Sequence, residues 1–266
     1  MLLDSNYDRW SVLDSVPSTN AFLLHSDLAP GSVVFARSQT QGRGRQGRRW
    51  IARPNDSVIF SGLLEFDSNF PAERLRYLPL LTGYAVLRAA EMELERDDAL
   101  SNLQARTALS IKWPNDLYLS RDASVGKVGG ILVESAALAG RFRVVLGVGL
   151  NYRGALPEVS EAQTPPAVLF PGESPGEPIQ TFGINLVREI NRLLPELHSE
   201  KTAATVAPPF LIKLREHNYL KGRIVRKGEH SFRVIDIADS GELILEDLAN
   251  SRQMSLDDTT EDLVLV

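Results

Sequence analysis

Apolar residues in the first 150 positions fall into short runs punctuated by Gly, Pro and Asn, a pattern that predicts β-strands. Ser32-Val33-Val34-Phe35-Ala36 and Ser57-Val58-Ile59-Phe60-Ser61-Gly62-Leu63-Leu64 are β-rich runs bounded by Gly31, Pro54 and Asn55. Three further segments, Ser110 to Leu119, Gly130 to Glu134 and Phe142 to Leu150, also read as strands. Within the last, Gly147 and Gly149 mark places where another group approaches the backbone. One helical pattern interrupts them. Pro71 stands at a helix start, and Leu75, Leu78, Leu81, Ala85 and Ala89 follow at three-to-four spacing, with charges on the other face as far as Glu95. A mixed sheet with a core-packed helix is the expectation.

The pattern then changes twice. Gly154 to Pro178 is rich in Pro and Gly and loop-like apart from Ala167-Val168-Leu169-Phe170, and helices are expected at Ile179 to Leu194 and Pro209 to Leu220. From Gly222 the runs are short again: Ile224-Val225, Phe232 to Ile237, a turn at Asp239-Ser240-Gly241, Leu243 to Leu245, and Leu263 to Val266. This predicts a small β-barrel or sandwich, and hence an α/β domain over 1–220 followed by a β module over 221–266. No repeat or heptad points to a solenoid or fibrous protein.

With 266 residues, 43% apolar, the chain is long enough to bury a substantial core. Its net charge of -5, from 29 basic and 34 acidic side chains, argues against bulk nucleic-acid affinity. The start, Met1-Leu2-Leu3-Asp4-Ser5, places acid where a signal peptide needs base, and no apolar run approaches the roughly 20 residues that span a bilayer. A cytoplasmic protein without membrane contact is expected, and the absence of cysteine fits a reducing compartment while excluding disulfides and thiolate metal sites.

Against this acidic background, Leu28 to Asn55 carries six arginines and no acid, gathered around Gly42-Arg43-Gly44-Arg45-Gln46-Gly47-Arg48-Arg49-Trp50. Glycine lets a backbone present its N–H groups at close range, and arginine adds a forked donor shaped for phosphate or carboxylate. The loop reads as an anion-embracing element or as a solvated arginine loop. Gly42-x-Gly44-x-x-Gly47 matches the dinucleotide fingerprint only formally. That motif must open into a helix, whereas Arg48 to Asn55 has no apolar period and soon meets Pro54, which leaves Glu65 an incidental surface acid. The Walker pattern also fails, because Arg48-Arg49 follows Gly47. Gly172-Glu173-Ser174-Pro175-Gly176 imitates a nucleophile elbow, but Pro175 has no N–H for an oxyanion, so it is a turn. The histidines at 25, 198, 217 and 230 lack metal-ligand spacing, so no protein-held metal is expected.

Two segments are more specific. Lys112-Trp113-Pro114-Asn115-Asp116-Leu117-Tyr118-Leu119 places a turn signal between apolar runs. In Lys127-Val128-Gly129-Gly130-Ile131-Leu132-Val133-Glu134, a lysine stands beside two glycines at the mouth of an apolar strand, where its charge reaches a site and bare backbone admits a ligand.

Taken in order, Ser18-Thr19-Asn20, Gln39, the GRGRxGR run, Trp50, KWPNDLYL, KVGGILVE, Gly147-Val148-Gly149-Leu150-Asn151-Tyr152 and the β end module resemble the biotin protein ligases over nearly the whole chain. The resemblance implies a mixed sheet flanked by helices, of the class II synthetase and biotin–lipoate ligase type, with a C-terminal SH3-like barrel. It also implies two steps. The biotin carboxylate attacks the α-phosphate of ATP to give biotinyl-5′-AMP and pyrophosphate, and a lysine of a biotin carboxyl carrier protein then attacks the acyl carbon. That acceptor would be the biotin-accepting domain of acetyl-CoA or pyruvate carboxylase. By the same resemblance Lys127 and Arg45 are the catalytic candidates. Ser18, Thr19, Asn20, Gln39, Arg43, Gly44, Arg45, Lys127, Gly129 and Gly130 are the candidates for biotin, and Arg43, Arg45, Arg48, Trp50, Asn115, Asp116, Lys127 and Asn151 those for the nucleotide. Mg²⁺ is expected through ATP phosphates and water, with Asp116 beside it. The stretch Ser120 to Gly126 is longer than the shortest family hairpins, and only 17 residues precede Ser18, which predicts no operator-binding domain. The resemblance leaves room for a homodimer.

Two alternatives stand beside this reading. A lipoate or octanoate ligase or transferase would share the fold, though GRGRxGR with KWPND speaks against it. A non-catalytic RNA-binding module needs aromatic stacking platforms, and within the cationic run only Trp50 offers one.

Overall fold

In the computed structural model, the described residues are 2–95, 107–138, 140–155, 164–171, 178–197, 207–257 and 263–266. The chain runs through Ser11–Leu13 (β1), Thr19–His25 (α1), Val33–Ala36 (β2), Ser57–Asp67 (β3), Tyr77–Glu95 (α2), Thr107–Lys112 (β4), Asp116–Arg121 (β5), Ser124–Leu138 (β6) and Arg141–Asn151 (β7). These strands form one seven-stranded sheet in the order β1-β2-β3-β7-β6-β5-β4. It is mixed, because β1 pairs with β2 in parallel while the other neighbours are antiparallel.

Cross-strand register divides the sheet into two faces. Phe60, Val148 and Ile131 sit opposite one another across β3, β7 and β6 and are all buried, in the same core as Leu78, Leu81 and Ala85 of α2. After a short parallel pair, Arg153–Gly154 (β8) with Phe170–Pro171 (β9), the helix Pro178–Leu193 (α3) packs on α2 and closes that layer. At Gly183 of α3 an added methyl would lie 2.8 Å from the Phe35 ring, so glycine here sets how closely helix and sheet approach. Among the described residues, the opposite face carries α1 and the arginine loop, beside the small apolar groups Leu23, Val34, Leu63, Val145 and Val16, Ala36, Ile59. Polar and glycine positions cluster between them.

After Pro209–Leu214 (α4), the strands Ile224–Lys227 (β10), His230–Ile237 (β11), Leu243–Asp247 (β12), Gln253–Leu256 (β13) and Val264–Leu265 (β14) form a second, antiparallel sheet in the order β13-β12-β11-β10-β14. Its inward residues Val225, Val234, Leu243 and Leu245 are fully buried in a core continuous with that of the main sheet. This small sheet is of the SH3-like kind. Among the described residues no helix is long and apolar enough to cross a membrane.

Several predicted elements need adjustment. The run Ser110 to Leu119 is two strands, broken where Trp113-Pro114-Asn115 turns the chain with a cis Trp113–Pro114 peptide. The predicted helix Pro209 to Leu220 ends as α-helix at Leu214, continues as 3₁₀ helix to His217 and then leaves helical geometry, so that Tyr219 N–H donates to the carbonyl of Ile111 on the β4 edge. The helix expected from Pro71 begins as a 3₁₀ segment, Ala72–Arg76. The Gly172–Gly176 turn lies outside the described residues.

Candidate active site

Register makes a floor of bare backbone in the middle of the open face. Asp116, Gly130, Gly149 and Ile59 lie in one row across β5, β6, β7 and β3, and Leu132, Gly147 and Ser61 in the next. The glycines are there because other side chains occupy the space. A methyl on Gly147 would lie 2.3 Å from Asn20 Oδ1, and one on Gly149 would lie 2.5 Å from the Trp50 indole.

Lys127 reaches this floor through a β-bulge. Strict alternation would put residues 127 and 130 on opposite faces. Asp116 pairs with Gly130 and Leu117 with Gly129, but Tyr118 pairs with Lys127, so Val128 is an extra residue, fully buried. The bulge turns Lys127 to the face of Asp116 and Gly130. There its Nζ lies 2.7 Å from Asp116 Oδ1, with both side chains partly exposed. Its backbone is fixed from the other side by residues 164–171: Lys127 N–H donates to the Pro165 carbonyl and Ala167 N–H to the Lys127 carbonyl, each at 2.8 Å. Tyr118 joins the strap through a 2.7 Å contact between its hydroxyl and that of Thr164, and burial pushes the phenol up to about 12. Asn151 Nδ2 donates to the Ala167 carbonyl, so this predicted nucleotide residue stands beneath the strap.

The arginine loop closes on itself at its base. Trp50 N–H donates to the Gly42 carbonyl at 3.0 Å, Gly44 N–H to the Arg48 carbonyl at 2.7 Å, and a methyl on Gly42 would lie 2.4 Å from the Trp50 carbonyl oxygen. From this base Arg45 donates to Asn115 Oδ1 at 3.1 Å and Arg43 pairs with Glu134 at 3.0 Å. Arg48 donates to Gln46 Oε1 at 2.9 Å and is exposed. Asn115 also holds β6 through Nδ2 to the Ile131 carbonyl, with Ile131 N–H returning to the Asn115 carbonyl. The Trp50 indole N–H is buried and lacks a hydrogen-bond partner among the described residues, an orphan donor beside the glycine floor.

On the far side, Ser18 caps α1 by accepting from Ala21 N–H, and Thr19 donates from N–H and hydroxyl to Gln39 Oε1 at 2.8 and 3.1 Å. Asn20 donates to the Leu132 carbonyl and to Glu134, and its Oδ1 lies 2.6 Å from the Ser61 hydroxyl. Ser18, Thr19 and Asn20 are all buried. Buried polar groups left unsatisfied cost roughly 1 to 3 kcal/mol each, so the hydrogen bonds among these side chains offset their burial and fix their geometry. Two members, Ser61 and Glu134, were missed as site residues. Glu134 ends the KVGGILVE run but meets its partners only through strand pairing, and Ser61 shows only as a polar residue within an apolar strand.

Another concavity, about 430 Å³, lies between α2, α3 and α4. Its charges answer one another, Arg88 with Glu91 and Arg192 with Glu189, and none of the predicted site residues lines it.

A mixed sheet, a cationic loop over a glycine floor and a lysine beside Asp116 are the features by which the chain is placed in a class. The profile of the Biotin/lipoate A/B protein ligase family matches residues 12–151, and the chain belongs to that family. It is 38% identical over 163 residues to the biotin–[acetyl-CoA-carboxylase] ligase of Mycobacterium tuberculosis, covering 58% of this chain and 54% of that protein. It is 33% identical over 141 residues to the bifunctional ligase/repressor BirA of Bacillus subtilis, covering 53% and 38%. The chain thus spans about half the length, or less, of these curated relatives. In fold it is similar to the biotin protein ligase of Aquifex aeolicus in complex with biotin and ATP, with a TM-score of 0.69 and 21% identity over 98% of this chain and all of that one.

Proposed function

We propose that the protein is a biotin protein ligase that activates biotin as biotinyl-5′-AMP and passes it to a lysine of a biotin carboxyl carrier protein. The observation that carries this reading is the convergence of Lys127, Asp116, Asn115, Arg45, Arg43 and Asn20 around a strip of glycines, from four separate stretches of the sequence. Residues 1–220 would form the ligase unit and 221–266 an appended module, in a cytoplasmic protein.

The chemistry follows from charge. When the carboxylate attacks the α-phosphate, negative charge grows on the phosphoryl oxygens. Lys127 is placed to meet it, because an ammonium has three donors and can hold Asp116 while contacting an anion. Arg43 pairs with Glu134 at a partly exposed surface, where an ion pair contributes about 0–1 kcal/mol, and Arg45 donates to the neutral amide of Asn115. A phosphate offers the same guanidinium groups a stronger bidentate partner. The loop would therefore exchange its partners and fold over the intermediate, excluding water from the reactive anhydride. The Trp50 indole, at the edge of the floor with its donor unmet, would pack on the purine, while Thr19, Asn20 and Gln39 supply donors and acceptors for the polar head of biotin. Mg²⁺ would enter on the nucleotide phosphates, since Asp116 is already held by Lys127 and, among the described residues, no group of three His, Asp or Glu side chains converges.

Incubating the protein with MgATP, biotin and a candidate carrier domain should add the mass of one biotinyl group to the carrier, and biotin should support pyrophosphate exchange into ATP. Exchange supported by lipoate or octanoate instead would move the protein to the other branch of its family.

A further inference from the structure

We propose that Trp113 is a positioning residue through which the C-terminal module sets the site loop that carries Asn115 and Asp116. The inference rests on the ligase reading and adds to it a role for the β11–β12 turn. The Trp113 ring is 7% exposed, and its indole N–H donates to the carbonyl of Gly241, 128 residues away, at 3.0 Å. That turn is rigid in itself, with Gly241 N–H bonded to Ala238 and Ala238 N–H to Glu242. Gly241 has a φ of +87°, and a methyl on it would lie 3.2 Å from the Tyr77 ring, so both conformation and space call for glycine.

Four side chains of the main domain hold the turn. Tyr77 donates to the Asp239 carbonyl at 2.7 Å, Arg215 pairs with Asp239 at 2.5 Å, Arg76 pairs with Glu242 at 2.9 Å, and Trp113 bonds Gly241. The first three belong to scaffold away from the site. Trp113 alone of the four is part of the site loop, next to Pro114 and two residues before Asn115. On its other side the loop is bonded to β6 by the paired Asn115–Ile131 contacts. The loop is thus clamped between β6 and the C-terminal turn, and from that clamp Asn115 holds Arg45 and Asp116 holds Lys127. Removing the Trp113 donor leaves the Gly241 carbonyl unmet and frees one jaw of the clamp.

The test compares two phenylalanine variants that each remove one hydrogen bond from the same turn. Trp113→Phe should lower kcat for biotin-dependent pyrophosphate exchange about tenfold, the kinetic equivalent of one hydrogen bond, with KM for biotin within about twofold. Tyr77→Phe should lose similar thermal stability yet keep kcat within about twofold. Trp113→His, which retains a ring N–H, should recover part of the lost rate. Wild-type kcat in a folded Trp113→Phe protein, or an equal loss in Tyr77→Phe, overturns the inference. Exchange supported by a different acid overturns the biotin reading alone, because the same comparison is then made with that acid. No exchange with any acid overturns both.

Discussion

The site has two sides built in opposite ways. On the sheet side, Lys127, Asp116 and the glycine floor belong to paired strands, with buried neighbours beneath and the 164–171 strap along the Lys127 backbone. On the loop side, Arg43 and Arg45 stand on a nine-residue turn that is tied at its base by Gly42 and Trp50, and their guanidinium groups meet the rest of the site through partly exposed polar contacts. A fixed group stabilises charge without reorganising during the reaction, whereas a cover must let substrate in and intermediate out. Under the proposed function, this difference would give rate to the sheet and retention to the loop.

Substitutions can break that division. Lys127→Ala should lower biotin-dependent exchange by about a thousandfold, at the upper end for losing one charge-stabilising donor, with the thermal melt unchanged. A folded mutant with wild-type exchange would remove Lys127 from the chemistry. Gly147→Val retains a strand-favouring residue but collides with Asn20, so it should raise KM for biotin at least about tenfold and cost about 1–3 kcal/mol of stability from overpacking. An unchanged KM would show that the start of α1 takes no part in binding the acid. Arg45→Gly should leave the first step nearly intact but speed escape of the acyl-adenylate about tenfold, for one charged hydrogen bond lost. Gel filtration of the protein–intermediate complex reads this directly, and equal retention by mutant and wild type contradicts the role of the loop.

The smallest effect tests the support behind Lys127. Burial raises the Tyr118 phenol from 10.0 to about 12, so the folded state favours the protonated form. The stability this contributes is complete below about pH 10 and is lost as pH rises from there toward about 12. Tyr118→Phe should cost about 1 kcal/mol at pH 8 through the lost Thr164 contact. It should also flatten the alkaline fall in stability. Denaturant melts at pH 8 and pH 11 that differ as much in the variant as in wild type would rule this out.

Much of the framework was legible because each strand carried its own apolar run and turn residues. What escaped depended on partners distant in sequence. β1 has only three residues, and α1, with seven, offers too short a period to read, although Pro17-Ser18 marks its start. β13 was missed because Gln253, Met254 and Ser255 are exposed and only Leu256 is buried, leaving no apolar run. At the site, the glycines at 147 and 149 were visible as close approaches, but their neighbours Asn20 and Trp50 lie about a hundred residues earlier. Lys127 was found by motif, whereas the bulge that aims it leaves no local mark beyond the adjacent glycines. Trp113 showed its place in the KWPND run and nothing of its hold on Gly241.

That bulge has a consequence for how this chain tolerates change in length. The aim of the lysine is a matter of odd and even counting: four residues from Lys127 to Gly130, one of them surplus, return both ends to the same side. Residues gained or lost in the 121–124 turn leave the count alone. A deletion at Val128 would restore plain alternation with Lys127 still on the side of Gly130, whereas one residue added between them would point the ammonium at the helices, where an unpaired charge is costly to bury, so the segment is defined by its tally as much as by its chemistry.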